Sequence, residues 1–460
     1  MVYDPPVLPA PDMDPKMPAA IDPVLTDLLA EAEADRLVIV AGAGLSMAPP
    51  SGVPSAGALA KAVRAKYQNN TGADLPPEVV DDIEKIACWF LGKAQLRPVF
   101  MRSLIDWGPF RRNPNSGHLA VADFLAAGIF EFAVTTNVDW LVEKAAELVG
   151  ERDFEAAIDG KQAGIKHLHR TLLKLHGCIV VDRENTVWCR DQLKEPVLSQ
   201  RVESAAKWLQ VALQGKTIIV VGFWSDWDYL NSVLEQAVVT IEPQKVYLID
   251  PAEQEFLKGK APELWEWASG AKVKFEHVRA SGAEFLNALR ERYSRQFLAR
   301  LLNDANGTYV AKFKKAAPGA PPTHALASAD LYALRQDASG VTRSDAVRAK
   351  RPDAAMRLAG ATHLWLAGKG AQLSGASYVL GKARIRVLQG AGQVLSEIKR
   401  AHEKDAGPVL DADLVVCAGA DDDGGAPLDV VRGDRPGSLV RPAPAGEWVT
   451  LDGAIERLGE

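Results

Sequence analysis

Runs of aliphatic, β-branched residues alternate with stretches of helical spacing from about residue 21 to residue 302. The runs L-V-I-V-A at 37–41 and T-I-I-V-V-G at 217–222 are almost wholly apolar, which favours strands buried on both faces of a parallel sheet. An amphipathic stretch at 23–36 predicts a helix before the first strand. Further strands are predicted at 131–136, 172–175, 245–250 and 271–278. This alternation predicts a doubly wound, Rossmann-like α/β fold with ligands at the carboxyl ends of the strands.

Helical patterns without a clear strand fill residues 78–127, which predicts a helical insertion and a core helix from about Ser116. Other helices are predicted at 57–67, 139–149, 200–214, 227–239 and 281–302.

A second region follows a linker-like stretch, K-F-K-K-A-A-P-G-A-P-P-T-H at 312–324. It predicts a smaller α/β or α+β domain with strands at H-L-W-L-A, A-S-Y-V-L, A-R-I-R-V-L-Q and D-L-V-V-C-A and a helix at 392–404. The predicted organisation is a flexible N-terminus at 1–20, a main domain at 21–305, a linker at 306–325 and a second domain at 326–460.

Composition and charge limit the kinds of partner and the compartment that we expect for this protein. The net charge is −6 and no basic block stands out, so we do not expect direct nucleic-acid binding. No apolar run approaches a membrane span, and the proline-rich start lacks a signal-peptide core, so we expect a cytoplasmic protein. The four cysteines form no C-x-x-C pair, which fits a reducing compartment and buried thiols.

Glycines and polar residues follow the predicted strands where each one ends. G-A-G-L-S at 42–46 is a partial dinucleotide fingerprint, since Met47 replaces its third glycine. T-T-N-V-D at 135–139 and K-L-H-G at 174–177 end two other strands. Taken alone, each motif also fits a structural role: the first as a tight turn, the second as a helix N-cap, and the third as a histidine that serves only packing. Five such strand ends favour one ligand site: Gly42, Asn137, His176, Gly222 and Asp250.

Other polar motifs favour structural roles. H-L-H at 167–169 has no suitable third metal ligand, so no metal site is predicted. W-S-D-W-D at 224–228 fits a helix cap, and the aspartate run at 421–423 fits a solvated loop because it lacks the spacing of a calcium loop.

The ordered set G-A-G-L-S with G-V-P, T-T-N-V-D, K-L-H-G, V-V-G-F and L-I-D resembles the sirtuin-like superfamily over residues 30–300. The resemblance implies that NAD is bound and that Asn137 and Asp139 hold its nicotinamide riboside. It implies that His176 is the general base. It also implies a set of cofactor-binding positions: Gly42, Ala43, Gly44, Ser46, Thr135, Gly222, Phe223 and Asp250.

Departures from the deacylating sirtuins point to a branch of the superfamily. Those enzymes carry two C-x-x-C zinc pairs after the catalytic histidine, whereas this chain has only Cys178 and Cys189 there, so no zinc is expected. Their S-G-I-P-D-F-R is S-G-V-P-S-A-G here, and Trp224 stands where they carry a serine. The chain is similar to zinc-less effectors of bacterial anti-phage defence, in which NAD⁺ is destroyed.

The predicted function is hydrolysis of NAD⁺ to nicotinamide and ADP-ribose. The alternatives are an NAD-dependent protein deacylase, a non-catalytic sensor of NAD or ADP-ribose, and a subunit that works only inside a larger assembly. A homo-oligomer or a complex with a defence partner through residues 326–460 is also predicted, because NAD⁺ loss needs restraint.

Overall fold

The chain folds into two compact units, one ending at Ala288 and the other beginning at Leu289. The computed structural model describes residues 21–150, 154–165, 171–222, 241–270, 272–340, 351–404, 412–422 and 446–459. The helix Gly282–Phe313 includes the first residues of the predicted linker. The predicted domain boundaries stay a prediction.

A six-stranded parallel sheet forms the centre of the first unit. Its strands are β1 (Leu37–Ala41), β2 (Phe132–Thr135), β3 (Thr171–Lys174), β4 (Thr217–Val221), β5 (Lys245–Ile249) and β6 (Lys274–Val278). They lie in the order β3-β2-β1-β4-β5-β6, and all neighbours are parallel. Every residue of β1 and β4 is buried, as their apolar runs predict. The predicted Rossmann-like sheet is confirmed.

Helices accompany these strands along the chain, and some of them pack on the faces of the sheet. They are α1 (Ile21–Glu33), α2 (Ala43–Met47), α3 (Ala56–Thr71), α4 (Ile83–Gly92), α5 (Leu96–Leu104), α6 (Ser116–Ala126), α7 (Leu141–Leu148), α8 (Gly160–Ile165), α9 (Pro196–Ala212), α10 (Gln254–Lys260), α11 (Pro262–Ala268) and α12 (Gly282–Phe313). Val38 and Val40 of β1 share a core cluster with Leu198 and Leu209 of α9. On the other face α1 and α6 contact β1 and β2.

The predicted helical insertion has a core of its own. Phe90 of α4 packs against Phe100 of α5 with ring centroids 5.8 Å apart, and both side chains are fully buried. Trp188, from the segment after β3, joins this cluster with its ring centroid 5.4 Å from that of Phe100. The insertion therefore supports the chain that follows His176.

The second unit contains a mixed five-stranded sheet. Its strands are β7 (Gln372–Ser374), β8 (Ser377–Leu380), β9 (Ala383–Gln389), β10 (Leu414–Ala418) and β11 (Glu447–Thr450), and its further helices are α13 (Ser328–Ser339), α14 (Ala354–Gly368), α15 (Leu395–Lys404) and α16 (Leu451–Leu458). The order is β11-β10-β9-β8-β7, with β7, β8 and β9 antiparallel and β9, β10 and β11 parallel.

One strand prediction in this unit is wrong. H-L-W-L-A, at 363–367, belongs to helix α14, whose N-cap Asp353 accepts a hydrogen bond from Met356 N at 2.8 Å. The first four residues of the run are buried, and a short buried run of this kind has no periodicity that separates a strand from a helix. Within the described ranges, no helix is long and apolar enough to cross a membrane.

Candidate active site

The carboxyl ends of β1, β2, β3 and β4 lie in one row. Ala41 pairs with both Thr135 and Val221, and Thr135 in turn pairs with Lys174. The residues that follow these strands therefore emerge along one edge, around the point between β1 and β4 where the strand order reverses. This register brings three of the predicted motifs to the same edge of the sheet.

Two glycines let the turns after β1 and β4 touch. Gly44 N donates a hydrogen bond to Gly222 O at 3.0 Å. A Cβ atom added to Gly44 would lie 2.7 Å from Gly222 Cα, and one added to Gly222 would lie 2.6 Å from Leu45 N. Gly222 also has a φ of +56°, which disfavours any other residue. The predicted contact of both glycines with one ligand requires this close approach.

Ser46 is the centre of a buried hydrogen-bond network. Its hydroxyl donates to Asp139 Oδ2 at 2.8 Å and accepts from Asn137 Nδ2 at 2.9 Å. His118 Nε2 lies 3.0 Å from the same oxygen. One donated and two accepted hydrogen bonds use the full capacity of a hydroxyl group. The geometry therefore joins the glycine loop to the loop after β2.

His118 enters this network as a neutral donor. The backbone N–H of Asn115 donates to His118 Nδ1 at 3.2 Å, so the ring proton is on Nε2, which donates to Ser46. Burial lowers the pKa of His118 to about 4, although Asp139 acts in the opposite direction. These bonds form a capping box at the start of α6: Asn115 N donates to the ring, and His118 N donates back to Asn115 Oδ1 at 3.1 Å.

The loop after β2 carries the two polar side chains predicted to hold the ligand. Asn137 Nδ2 also donates to Gly42 O at 3.1 Å, and Asn137 N donates to Thr135 Oγ1 at 3.1 Å. Asp139 is buried, and its Oδ1 accepts from Leu141 N at 3.2 Å. Asp139 therefore both accepts from the first backbone N–H of α7 and belongs to the Ser46 network.

His176 follows β3 and is 7% exposed. Its carbonyl accepts from Val187 N at 2.9 Å, and Gly177 after it has a φ of +86°, which lets the chain turn sharply. Burial, together with the positive charge of Arg201, lowers the pKa of His176 to about 3. Arg201 Nη2 donates to Asn185 O at 2.8 Å. The imidazole is therefore neutral at pH 7.

The segment 178–195 follows His176 and is packed without a metal ligand set. Arg97 of α5 donates to both carboxylate oxygens of Glu195, at 3.2 and 2.6 Å, and to Asn185 Oδ1 at 3.1 Å. The rings of Trp188 and Trp107 are 5.8 Å apart. Among the residues that the structure describes, no group of three or more His, Cys, Asp or Glu side chains is placed to hold a metal ion.

Residues 48–55 form the loop between α2 and α3. Val53 N donates to Ser46 O at 3.0 Å, and Ser51 Oγ donates to Asn113 O at 3.0 Å. Arg112 donates to the carbonyl of Gly52 at 3.1 Å. The loop is thus tied both to the glycine turn and to the segment before α6.

Two more of the predicted positions, Asp250 and Ala43, lie within the described residues. Asp250 ends β5, one strand beyond β4, and its Oδ1 accepts from Ala252 N at 2.8 Å. Ala43 is the exposed first residue of α2. Phe223, the H-L-H motif, the W-S-D-W-D motif and the helix predicted at 227–239 lie outside the described residues.

Sequence reasoning missed His118 and Lys174. The signal for His118 was present in P-N-S-G-H at 114–118, where an asparagine N-cap has a histidine at the third helical position. The signal for Lys174 is a charged residue at the end of an otherwise apolar strand, T-L-L-K. Lys174 is 1% exposed and its Nζ is 2.6 Å from Glu143 Oε1.

The chain was compared with protein-family profiles, curated proteins and solved structures. A family profile described as SIR2-like domain matches residues 131–269, a range that includes Asn137, Asp139 and His176 and supports the sirtuin-like superfamily. No curated protein matches the chain.

Solved structures of Sir2 enzymes align with just over half of the chain. One describes the mechanism and regulation of Sir2 enzymes, with 16% identity, a TM-score of 0.33, and coverage of 58% of this chain and 95% of that chain. A Sir2–p53 peptide–NAD⁺ complex has 16% identity, a TM-score of 0.32 and coverage of 58% and 97%. A Sir2 homologue–NAD complex has 17% identity, a TM-score of 0.30 and coverage of 57% and 91%.

Proposed function

We propose that the chain is an NAD⁺ glycohydrolase that cleaves the bond between nicotinamide and ribose. The match to a SIR2-like domain indicates NAD⁺-dependent activity. The observation that carries the finer proposal is the Ser46 network. It holds the Asp139 carboxylate and the Asn137 amide in fixed positions at the edge where His176 also emerges.

Asp139 supplies the negative charge that this reaction needs. The C1′–N bond breaks with its electron pair passing to the nicotinamide nitrogen, which leaves positive charge on the ribose. Lys174 and Glu143 neutralise each other at 2.6 Å, so the Asp139 carboxylate contributes the net charge of this buried group. A preorganised carboxylate in a buried site stabilises such charge strongly.

His176 would then deliver the nucleophile. A water molecule attacks C1′ and loses a proton to the neutral imidazole, giving nicotinamide, ADP-ribose and one proton overall. Burial and Arg201 keep His176 unprotonated throughout the physiological pH range, and so weak a base takes the proton only once bond formation to C1′ has made the attacking water acidic. Asn137 is proposed to orient the ribose or the water.

The packing after His176 favours hydrolysis over deacylation. In the zinc-binding deacylases this part of the chain holds cysteine pairs, whereas here Trp188 fills it and Arg97 clamps it. The proposal extends to a cytoplasmic effector of anti-phage defence. In this proposal, residues 326–460 restrain the activity through an oligomer or a partner protein.

The first experiment measures nicotinamide and ADP-ribose by chromatography after the purified full chain is incubated with NAD⁺. The wild type is run beside His176→Ala and Asn137→Ala, each expected to lower turnover about 100-fold or more. His324→Ala, at an exposed position of the second unit, is the matched control. Parallel reactions contain an acetyl-lysine peptide or lysate from phage-infected cells.

Each result of this experiment separates two functions. Peptide-independent nicotinamide release that requires His176 supports the glycohydrolase, and dependence on lysate supports restraint by a trigger. Release only with the acetylated peptide would identify a deacylase. Binding of NAD⁺ without release in any reaction would identify a sensor.

A further inference from the structure

Lys174 occupies a position where its strand would ordinarily place an apolar residue. It ends the fully buried strand T-L-L-K, two residues before His176, and its side chain is 1% exposed. A lysine is almost never this deeply buried unless its charge is paired. Its contacts therefore show what the charge does.

The ammonium group of Lys174 meets acceptors from three separate elements. Nζ donates to the backbone carbonyl of Asp139 in the loop after β2. It lies 2.6 Å from Glu143 Oε1 of α7 and 3.7 Å from Cys178 Sγ in the turn after β3. Three N–H groups therefore have three partners, and the lysine ties the loop after β2 to the strand end that carries His176.

The contact with Asp139 is what distinguishes this group from a purely stabilising ion pair. A buried ion pair contributes little net stability, because desolvation offsets most of the attraction. Glu143 keeps the pKa of Lys174 above its usual value although burial acts in the opposite direction, so the ammonium stays charged. A charged donor is thereby kept on the carbonyl of the residue whose carboxylate accepts from Ser46.

We propose that Lys174 is the positioning residue that fixes the Asn137–Asp139 loop against the His176 turn. This inference rests on the proposed function, since it assigns a role within that site. Lys174 acts through the backbone of Asp139 and is not itself a catalytic residue. A displacement of about 1 Å in such a loop lowers a rate by about 100-fold.

The test replaces both members of the charge pair, so that an effect on folding stability can be separated from an effect on the position of the loop. Lys174→Met alone leaves Glu143 buried without its partner and is expected to unfold at a lower temperature. In Lys174→Met with Glu143→Met, both charges are replaced by apolar side chains of similar length, and the melting temperature is expected to recover to near that of the wild type. The hydrogen bond to the Asp139 carbonyl is not recovered.

A similar but less buried pair lies at the amino ends of the strands of the same sheet. Lys216 also pairs with a glutamate, Glu131, and also donates to a backbone carbonyl, Asp35 O at 3.2 Å. The control is Lys216→Met with Glu131→Met, for which unchanged turnover is expected.

The double variant at Lys174 is expected to keep its fold and lose kcat by about tenfold or more, with a smaller change in KM. Wild-type kcat in a folded double variant would overturn the proposal, because Lys174 would then act only as part of an ion pair. If the wild type releases no nicotinamide, the proposed function fails. The role of Lys174 is then tested by comparing the NAD⁺ affinity and the crystal structures of the wild type and the double variant. An undisplaced Asp139 carbonyl with unchanged affinity would overturn it.

Discussion

The tripeptide G-A-G follows a parallel strand twice in this chain, at 42–44 in the first unit and at 390–392 in the second. Both copies connect a strand to a helix. The first turn leads to a polar hydrogen-bond network around Ser46. The second turn packs against apolar side chains and the backbone of Asp421. The difference lies in what surrounds the glycines.

In the first turn the glycines bring two loops into backbone contact. Gly44 meets Gly222 across the edge where the strand order reverses, and two residues further on Ser46 turns its hydroxyl into the buried network. The position is polar although it is only 1% exposed. Such a group is stable only when every hydrogen-bonding atom is satisfied.

In the second turn the glycine makes room for apolar packing. A Cβ atom on Gly390 would lie 2.5 Å from Ile398 Cδ1 and 3.0 Å from Ala420 Cβ. Val394 stands where the first turn has Ser46, and its backbone forms a bridge with Asp421. Leu395 N, at the start of α15, donates to Asp421 O at 3.2 Å. Glycine spacing alone thus reports a strand–helix turn and does not identify a ligand site.

The same methyl group added to both turns is expected to have very different effects. Gly44→Ala places Cβ 2.7 Å from the backbone of Gly222, which cannot move without shifting β4, so we expect turnover of NAD⁺ to fall about 100-fold. Gly390→Ala meets mainly the flexible end of Ile398, so we expect a lower melting temperature and unchanged turnover. Nicotinamide release and thermal unfolding measure the two effects. Full turnover in Gly44→Ala would show that the glycine in the first turn also serves only the packing of the chain.

A smaller effect is expected from exchanging the residues that follow the glycines. Ser46→Ala leaves Asp139, Asn137 and His118 each short of one buried hydrogen bond, so we expect kcat to fall about tenfold to 100-fold. Val394→Ala removes only apolar contacts in the second unit and is the matched control. Steady-state kinetics on both variants checks this, and equal kcat values would separate the Ser46 network from catalysis.

Most of the strand ends could be predicted from the sequence, because fully buried strands are long apolar runs followed by glycines and polar residues. Gly42, Asn137 and His176 follow three such runs, and the parallel register brings those strand ends to one edge. His118 could not be found this way. It lies inside a helix far along the chain, and only the packing of α6 brings it to Ser46.

Lys174 shows a second limit of sequence reasoning. A charge after three buried residues could equally mark an exposed strand end, and only the contacts with Glu143 and Asp139 show that it is buried. The error at H-L-W-L-A has the same origin. Burial of its first four residues removes the periodicity from which a helix is recognised, so the tertiary packing decides the secondary structure.

Both units contain a buried histidine that is expected to make the free energy of unfolding depend on pH. Burial lowers the pKa of His118 in the first unit and of His363 in the second to about 4, below the ordinary value of 6.5. The unfolded chain therefore binds more protons than the folded chain between these values, and stability falls as the pH drops below 6.5. Each histidine is expected to lower the unfolding free energy by about 2 kcal/mol between pH 7 and pH 5.

Urea unfolding at both pH values checks this expectation, with His363→Gln as the discriminating variant. The variant should lose only part of the acid sensitivity of the second unit, because burial also lowers the pKa of His402 there. It should keep its nicotinamide release, because His363 lies outside the site and hydrogen-bonds to Tyr378 at 3.1 Å. The kcat/KM of the wild type should stay level from pH 8 to pH 5, since burial lowers the pKa of His176 to about 3. An acid limb near pH 6.5 that disappears in His176→Gln would show that this base is solvated during turnover, and the proposed water attack would then start from an open site.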